Sequence, residues 1–240
     1  DDGGVVKKAN LANGATDGLR KAHLDNIGQL VSMMEEGLDG LTVLNLSAAD
    51  DRKSAIYRYD LDDRPQFFDA FKEIEDHQYD DYFTKENGRF FVFSKDDLSQ
   101  IDAFVIHIGN ADNSLMIYRK NYSVNLFKRD KIFLVKKDDT RFDTMKDDFI
   151  RLDAKIDFLY VNDEVYIYNL DVLERFGDFH QIITKEATAS LEDIDTLGLV
   201  FNIDILSGRV DDLRFARKLA KISKDSPVFK VPQADIIEFT

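Results

Sequence analysis

The run Ile156-Asp157-Phe158-Leu159-Tyr160-Val161-Asn162-Asp163-Glu164-Val165-Tyr166-Ile167-Tyr168 joins two stretches rich in β-branched and aromatic residues through Asn162-Asp163. Both linker residue types tolerate positive φ, so strands over Ile156–Val161 and Val165–Tyr168 are expected to close into a tight hairpin. Working back toward the amino end, further strands are expected over Ile132–Val135, Leu115–Tyr118, Ala103–Ile108 and Phe90–Phe93. Gly109-Asn110-Ala111-Asp112-Asn113 forms the turn between two of them. Ala55–Tyr59 and Leu41–Leu46 extend the set. Strands that follow strands at short intervals, with few helices between, indicate an antiparallel or mixed sheet rather than a doubly wound one.

Helices are expected around this block. Asp62-Asp63-Arg64-Pro65 reads as a helix start, and Phe67, Phe68, Phe71 and Ile74 recur at helical spacing behind it. Beyond Asn169, Leu170–Phe176, Phe179–Ala187 and Val210–Ile222 read as helices, Leu199–Ile205 as a further strand and Asp235–Phe239 as a last one. The expected class is α+β: a mixed, mainly antiparallel sheet with helices packed on it and a helical carboxy-terminal part. Residues 1–40 read as an extension, partly helical or flexible, with one apolar cluster at Leu30, Val31, Met33 and Met34. Residues 41–240 form the α+β domain. The chain starts at Asp1 without a methionine and closes on an apolar strand, so more polypeptide is expected beyond it.

Composition bounds the function. The 240 residues carry 46 acids against 32 bases, a net charge of −14, and their 44% hydrophobic content excludes general disorder. With no cysteine, thiolate catalysis and disulfide frameworks are excluded. Apolar runs fall short of the ~20 residues that span a bilayer, and no secretory signal opens the chain. A cytoplasmic protein is expected, with any membrane connection made through a partner.

No standard catalytic signature is present: no G-x-S-x-G, Walker A loop, H-E-x-x-H or G-x-G-x-x-G. His23, His77, His107 and His180 never sit at metal-binding spacing, and His107 and His180 read as structural. The many Asp-Asp pairs read as turn and cap residues. Asp153-Ala154-Lys155, with Asp143, Asp147 and Asp148 upstream, matches the acid-x-Lys pattern of a metal-dependent nuclease, but also a turn into the next strand. No catalytic residue, cofactor or metal is expected.

Two basic islands interrupt the acidic background. Arg119, Lys120, Lys128, Arg129, Lys131, Lys136 and Lys137 face a single acid, Asp130, between positions 119 and 137. Arg214, Arg217, Lys218 and Lys221 follow helical spacing beside Leu213, Ala216, Leu219, Ala220 and Ile222. Phosphate binding needs local positive potential, not a positive total, so each island reads either as a polyanion surface or as a solvated face paired with nearby acids.

The stretch Asp50-Asp51-Arg52-Lys53-Ser54-Ala55-Ile56-Tyr57-Arg58-Tyr59-Asp60-Leu61 resembles the KwaB-like family, the soluble component of the bacterial Kiwa anti-phage system. The likeness continues through Ile106-His107-Ile108-Gly109-Asn110, Ile117-Tyr118-Arg119-Lys120, Arg141-Phe142 and Phe149-Ile150-Arg151-Leu152. It runs on through Leu173-Glu174-Arg175-Phe176-Gly177 and Phe215-Ala216-Arg217-Lys218-Leu219 to Lys224-Asp225-Ser226-Pro227-Val228. The resemblance implies a cytoplasmic, non-enzymatic defence protein that oligomerises, works with a small membrane protein of the same system and engages DNA. On this reading Arg119, Lys120, Lys128, Arg129 and Lys131, with Arg214, Arg217, Lys218 and Lys221, contact phosphates. An acidic protein-interaction module without DNA binding is the alternative, and a metal-dependent hydrolase the third reading.

Overall fold

The computed structural model describes residues 6–35, 42–48, 55–77, 85–86, 89–90, 98, 100–110, 114–122, 134–136, 140–144, 150–198 and 200–230. Among these the strands are β1 (Val43–Asn45), β2 (Ile56–Arg58), β3 (Lys85–Glu86), β4 (Arg89–Phe90), β5 (Ala103–Gly109), β6 (Ser114–Lys120), β7 (Leu134–Lys136), β8 (Phe142–Thr144), β9 (Phe158–Val161) and β10 (Glu164–Ile167). The α-helices are α1 (Asn13–Glu35), α2 (Asp69–His77), α3 (Leu170–Phe176), α4 (Phe179–Leu197), α5 (Ile203–Ser207) and α6 (Leu213–Asp225).

The hairpin forms as its sequence dictates. β9 and β10 pair antiparallel from Glu164 opposite Val161 to Ile167 opposite Phe158, and Asn162 and Asp163 turn the chain at φ 52° and 62°. Two left-handed residues in succession match the twist of the flanking strands. This hairpin is the middle of a six-stranded sheet in the order β1-β2-β10-β9-β6-β5, antiparallel except for β1 against β2. The mixed, mainly antiparallel sheet is therefore present. β3–β4 and β7–β8 are separate two-stranded ribbons.

Alternation along the strands divides the side chains between two faces. Met116, Tyr118, Phe158, Tyr160, Val165 and Ile167 face the larger core, where Phe68 just before α2, Phe71 within it, and Leu173, Phe179, Ile183, Leu191 and Leu219 of the later helices meet them. Aromatic rings fill its centre: Phe71 stacks on Tyr160 at 5.2 Å, and Phe68 meets Phe158 edge-on at 5.4 Å. Leu115, Ile117, Leu159, Val161, Tyr166 and Tyr168 point the other way, under Ile27 and Leu30 of α1. So α1, from the stretch read as an extension, lies on the sheet. Asn26 fixes it by donating from Nδ2 to the Ala154 carbonyl.

Two expectations change. Phe179–Ala187 extends to Leu197, because Ser190, Leu191 and Ile194 continue the buried stripe beyond Ala187. Leu199–Ile205 is not a strand within the described residues. Asn202 enters the left-handed region at φ 61° and starts α5, whose Ile203 and Leu206 pack on the large core. The expected strand Asp235–Phe239 lies outside the described residues, as does most of Phe90–Phe93.

Gly177 separates α3 from α4 where only hydrogen fits. A Cβ there would stand 2.7 Å from the Leu173 carbonyl oxygen and 3.1 Å from Phe67 Cε1. Gly177→Ala is expected to destabilise the chain by about 1–3 kcal/mol, lowering the urea midpoint with an unchanged m-value.

Candidate nucleic-acid interface

The second basic island is a well-formed helix. Asp212 caps α6 by accepting from the amides of Arg214 and Phe215. Ala216, Leu219 and Ala220 are buried, and they pack α6 on α4 and on the 3-10 turn at Leu46–Ala48. At about 100° per residue, Arg214, Lys218 and Lys221 fall within an arc of roughly 60° and a rise of roughly 10 Å. All three are exposed, and Lys218 and Lys221 pair with no carboxylate among the described residues. Arg217 turns inward instead. It is buried, its Nη2 donates to Glu174 Oε1, and its guanidinium lies 5.0 Å over the Phe179 ring.

The first island is divided. Arg119 is 8% exposed and its guanidinium is fully engaged. Nη1 donates to both Asp157 oxygens at 2.9 Å, Nε to Asp153 Oδ1 at 2.9 Å and Nη2 to Asp153 Oδ2 at 3.1 Å. Asp157, 1% exposed, also accepts from the Lys120 amide at 2.7 Å and Asn169 Nδ2 at 2.8 Å. This carboxylate ties the ends of β6 and β9 to the start of α3. Lys120 is half-buried, with its ammonium 3.4 Å from Asp102 and 4.6 Å over the Phe176 ring. Lys128, Arg129 and Lys131 lie outside the described residues.

Lys120 and Arg217 both touch α3, through Phe176 and Glu174, so the islands approach each other at that helix. The charges of Arg119 and of the α6 stripe do not converge. By strand alternation Arg119 shares the face of Ile117, beneath α1, whereas α6 packs on the opposite side. Asp157 escaped the sequence reading; its signal was an acid set directly between Ile156 and Phe158 at the start of an apolar strand, where an unpaired carboxylate is rarely buried.

The family model for Kiwa protein KwaB-like matches residues 98–240. The chain belongs to this family. Over 237 residues it is 26% identical to Kiwa protein KwaB of Escherichia coli O55:H7 (strain RM12579 / EPEC), covering 98% of this chain and 72% of that protein. No solved structure matches. The span matched by the KwaB-like model contains α6, the Arg119–Asp157 pair and the central hairpin.

In this KwaB-like chain the acid-x-Lys triplet has a structural use. Both Asp153 oxygens face Arg119, and Oδ1 also accepts from the Lys155 amide at 3.1 Å. Asp143 is exposed on β8, Asp147 and Asp148 lie outside the described residues, and no described group of His, Asp and Glu is arranged to hold a metal. Half-buried His107 has its pKa lowered by burial and secondarily by Lys8, and His180 Nε2 lies 3.2 Å from the Asp211 carbonyl.

Burial pushes the Asp153 carboxyl toward protonation, but the Arg119 hydrogen bonds and the Lys155 amide outweigh it and hold the pKa below the ordinary aspartate value. The stabilisation is therefore present above about pH 4 and lost as pH falls through the depressed value. Asp153→Asn is expected to lower Tm at neutral pH, with the gap to wild type closing in scans taken below about pH 4.

Proposed function

We propose that this chain is the KwaB-like component of a bacterial Kiwa-type anti-phage defence system, and that it acts without catalysis by engaging DNA through the solvent face of α6. Family membership supports the defence role. The observation that carries DNA engagement is the pair Lys218 and Lys221, held on one exposed face by a capped, core-anchored helix without neutralising carboxylates among the described residues. Such cations contact phosphates and hold the backbone without reading sequence. Arg214 lies on the same face. Arg217 braces α6 from its buried side through Glu174 and Phe179, Arg119 works inside the fold, and Lys128, Arg129 and Lys131 are proposed to extend the surface. Cytoplasmic location, oligomeric assembly and action with a small membrane protein of the same system complete the proposal, and the family supports these. Among the described residues no helix is long and apolar enough to cross a membrane.

The test is titration of a labelled DNA duplex with the full chain freed of nucleic acid, beside Lys218→Glu/Lys221→Glu. Saturable binding by wild type that the double variant loses supports the proposal. Equal affinities would remove α6 from the surface. An absence of binding even at low salt would favour the alternative of an acidic protein-interaction module, to which the net charge of −14 points.

A further inference from the structure

The face around α5 is the clearest unpartnered apolar surface among the described residues. Phe201 is 89% exposed and Ile205 67%, and Val200 is exposed beside them. Two left-handed residues lie between α4 and α5: Gly198 at φ 65° ends α4, and Asn202 at φ 61° and ψ 46° starts α5 directly behind Phe201. Adjacent to it, a groove of ≈ 260 Å³ runs between α4 and α5, with Leu191, Ile203 and Val210 along its floor and Glu192 and Asp195 on its α4 wall. At about 100° per residue, Asp204 stands on the crest of α5, between groove-lining Ile203 and Ser207 on one side and Ile205 on the other. Glu192, Asp195 and Asp204 are exposed and pair with no cation among the described residues.

An exposed apolar cluster beside an unneutralised acidic rim selects its occupant by charge. DNA and an anionic membrane leaflet would both be repelled. A second copy docking on the same patch by two-fold symmetry would bring Glu192, Asp195 and Asp204 of each chain together, doubling the repulsion. The complementary ligand carries apolar and basic residues at once. We propose that this face docks a cationic amphipathic segment of a partner protein. Its apolar side chains cover Phe201 and Ile205, and a Lys or Arg extends over the crest of α5 to Glu192 and Asp195 at the groove. The surface is separate from the Lys218–Lys221 stripe, so it stands or falls independently of DNA binding.

The test uses the full chain and a fluorescent Lys/Leu amphipathic peptide of about 14 residues, long enough to hold a helix when bound. A Lys/Ser peptide of equal charge and a Glu/Leu peptide serve as controls. Saturable binding of the Lys/Leu peptide alone is expected, weakened about tenfold or more both by Phe201→Ser/Ile205→Ser and by Glu192→Lys/Asp195→Lys. All these positions are exposed, so folding is retained, and a circular-dichroism spectrum and Tm matching the wild type verify it. Equal binding of the Lys/Ser peptide, or undiminished binding by the variants, would reduce the effect to diffuse attraction and overturn the proposal. So would self-association of the wild-type chain that Phe201→Ser/Ile205→Ser abolishes, or Phe201-dependent binding to anionic phosphatidylserine vesicles.

Discussion

Asp157→Ala is expected to lower the unfolding temperature by roughly 6–20 °C. The carboxylate is buried and satisfies Arg119, the Lys120 amide and Asn169 together. Removing it leaves Arg119, itself only 8% exposed, with Asp153 as its one remaining anion among the described residues and orphans two further donors. Breaking a buried ion pair from one side costs about 3–5 kcal/mol, because an uncompensated charge stays in the interior. In a chain of this size each kcal/mol shifts Tm by about 2–4 °C. Thermal unfolding followed by circular dichroism checks the value. Duplex affinity measured well below the transition is expected to be unchanged, since Arg119 works inside the fold.

The largest expected change in binding comes from Lys218→Glu/Lys221→Glu. Two attractive contacts to phosphate are removed and two repulsive ones added. At an exposed surface each amounts to about 0.5–1 kcal/mol, giving about 2–4 kcal/mol in all, or roughly 30- to 1000-fold in Kd. The fold does not depend on these side chains: the buried stripe of Ala216, Leu219 and Ala220 and the Asp212 cap are untouched. Tm is expected to hold while duplex affinity falls. Arg217→Met is the contrasting variant, since its guanidinium serves Glu174 and the Phe179 ring.

What could be read in advance was local. Asn162-Asp163 between two strand-forming runs specified the central hairpin, since the turn and the period-2 pattern agree. α6 was legible from its 3.6-residue apolar spacing, while Asp212 reads as one more member of an Asp-Asp pair until its cap bonds are seen. What stayed hidden was long-range. Glu174 meets Arg217 from 43 positions away, and Asp157 meets Arg119 from 38, so a tally of charges along the chain cannot tell an engaged guanidinium from an exposed one. The apolar run before Ile203 misled for a different reason. A short apolar segment satisfies either period, and here the left-handed Asn202 and the packing of Ile203 and Leu206 decided for helix. α1 was hard to place because Ile27 and Leu30, its contacts with the sheet, are sparse among polar neighbours.

The most direct measurement is the salt dependence of duplex binding, taken for wild type and for Lys218→Ala/Lys221→Ala. Each neutralised phosphate contributes a slope of about −0.9 in a plot of log K against log salt. The predicted result is a steep negative slope for wild type, shallower by roughly 1.8 in the double variant. Identical slopes, or no salt-dependent binding by wild type, would contradict DNA engagement through α6.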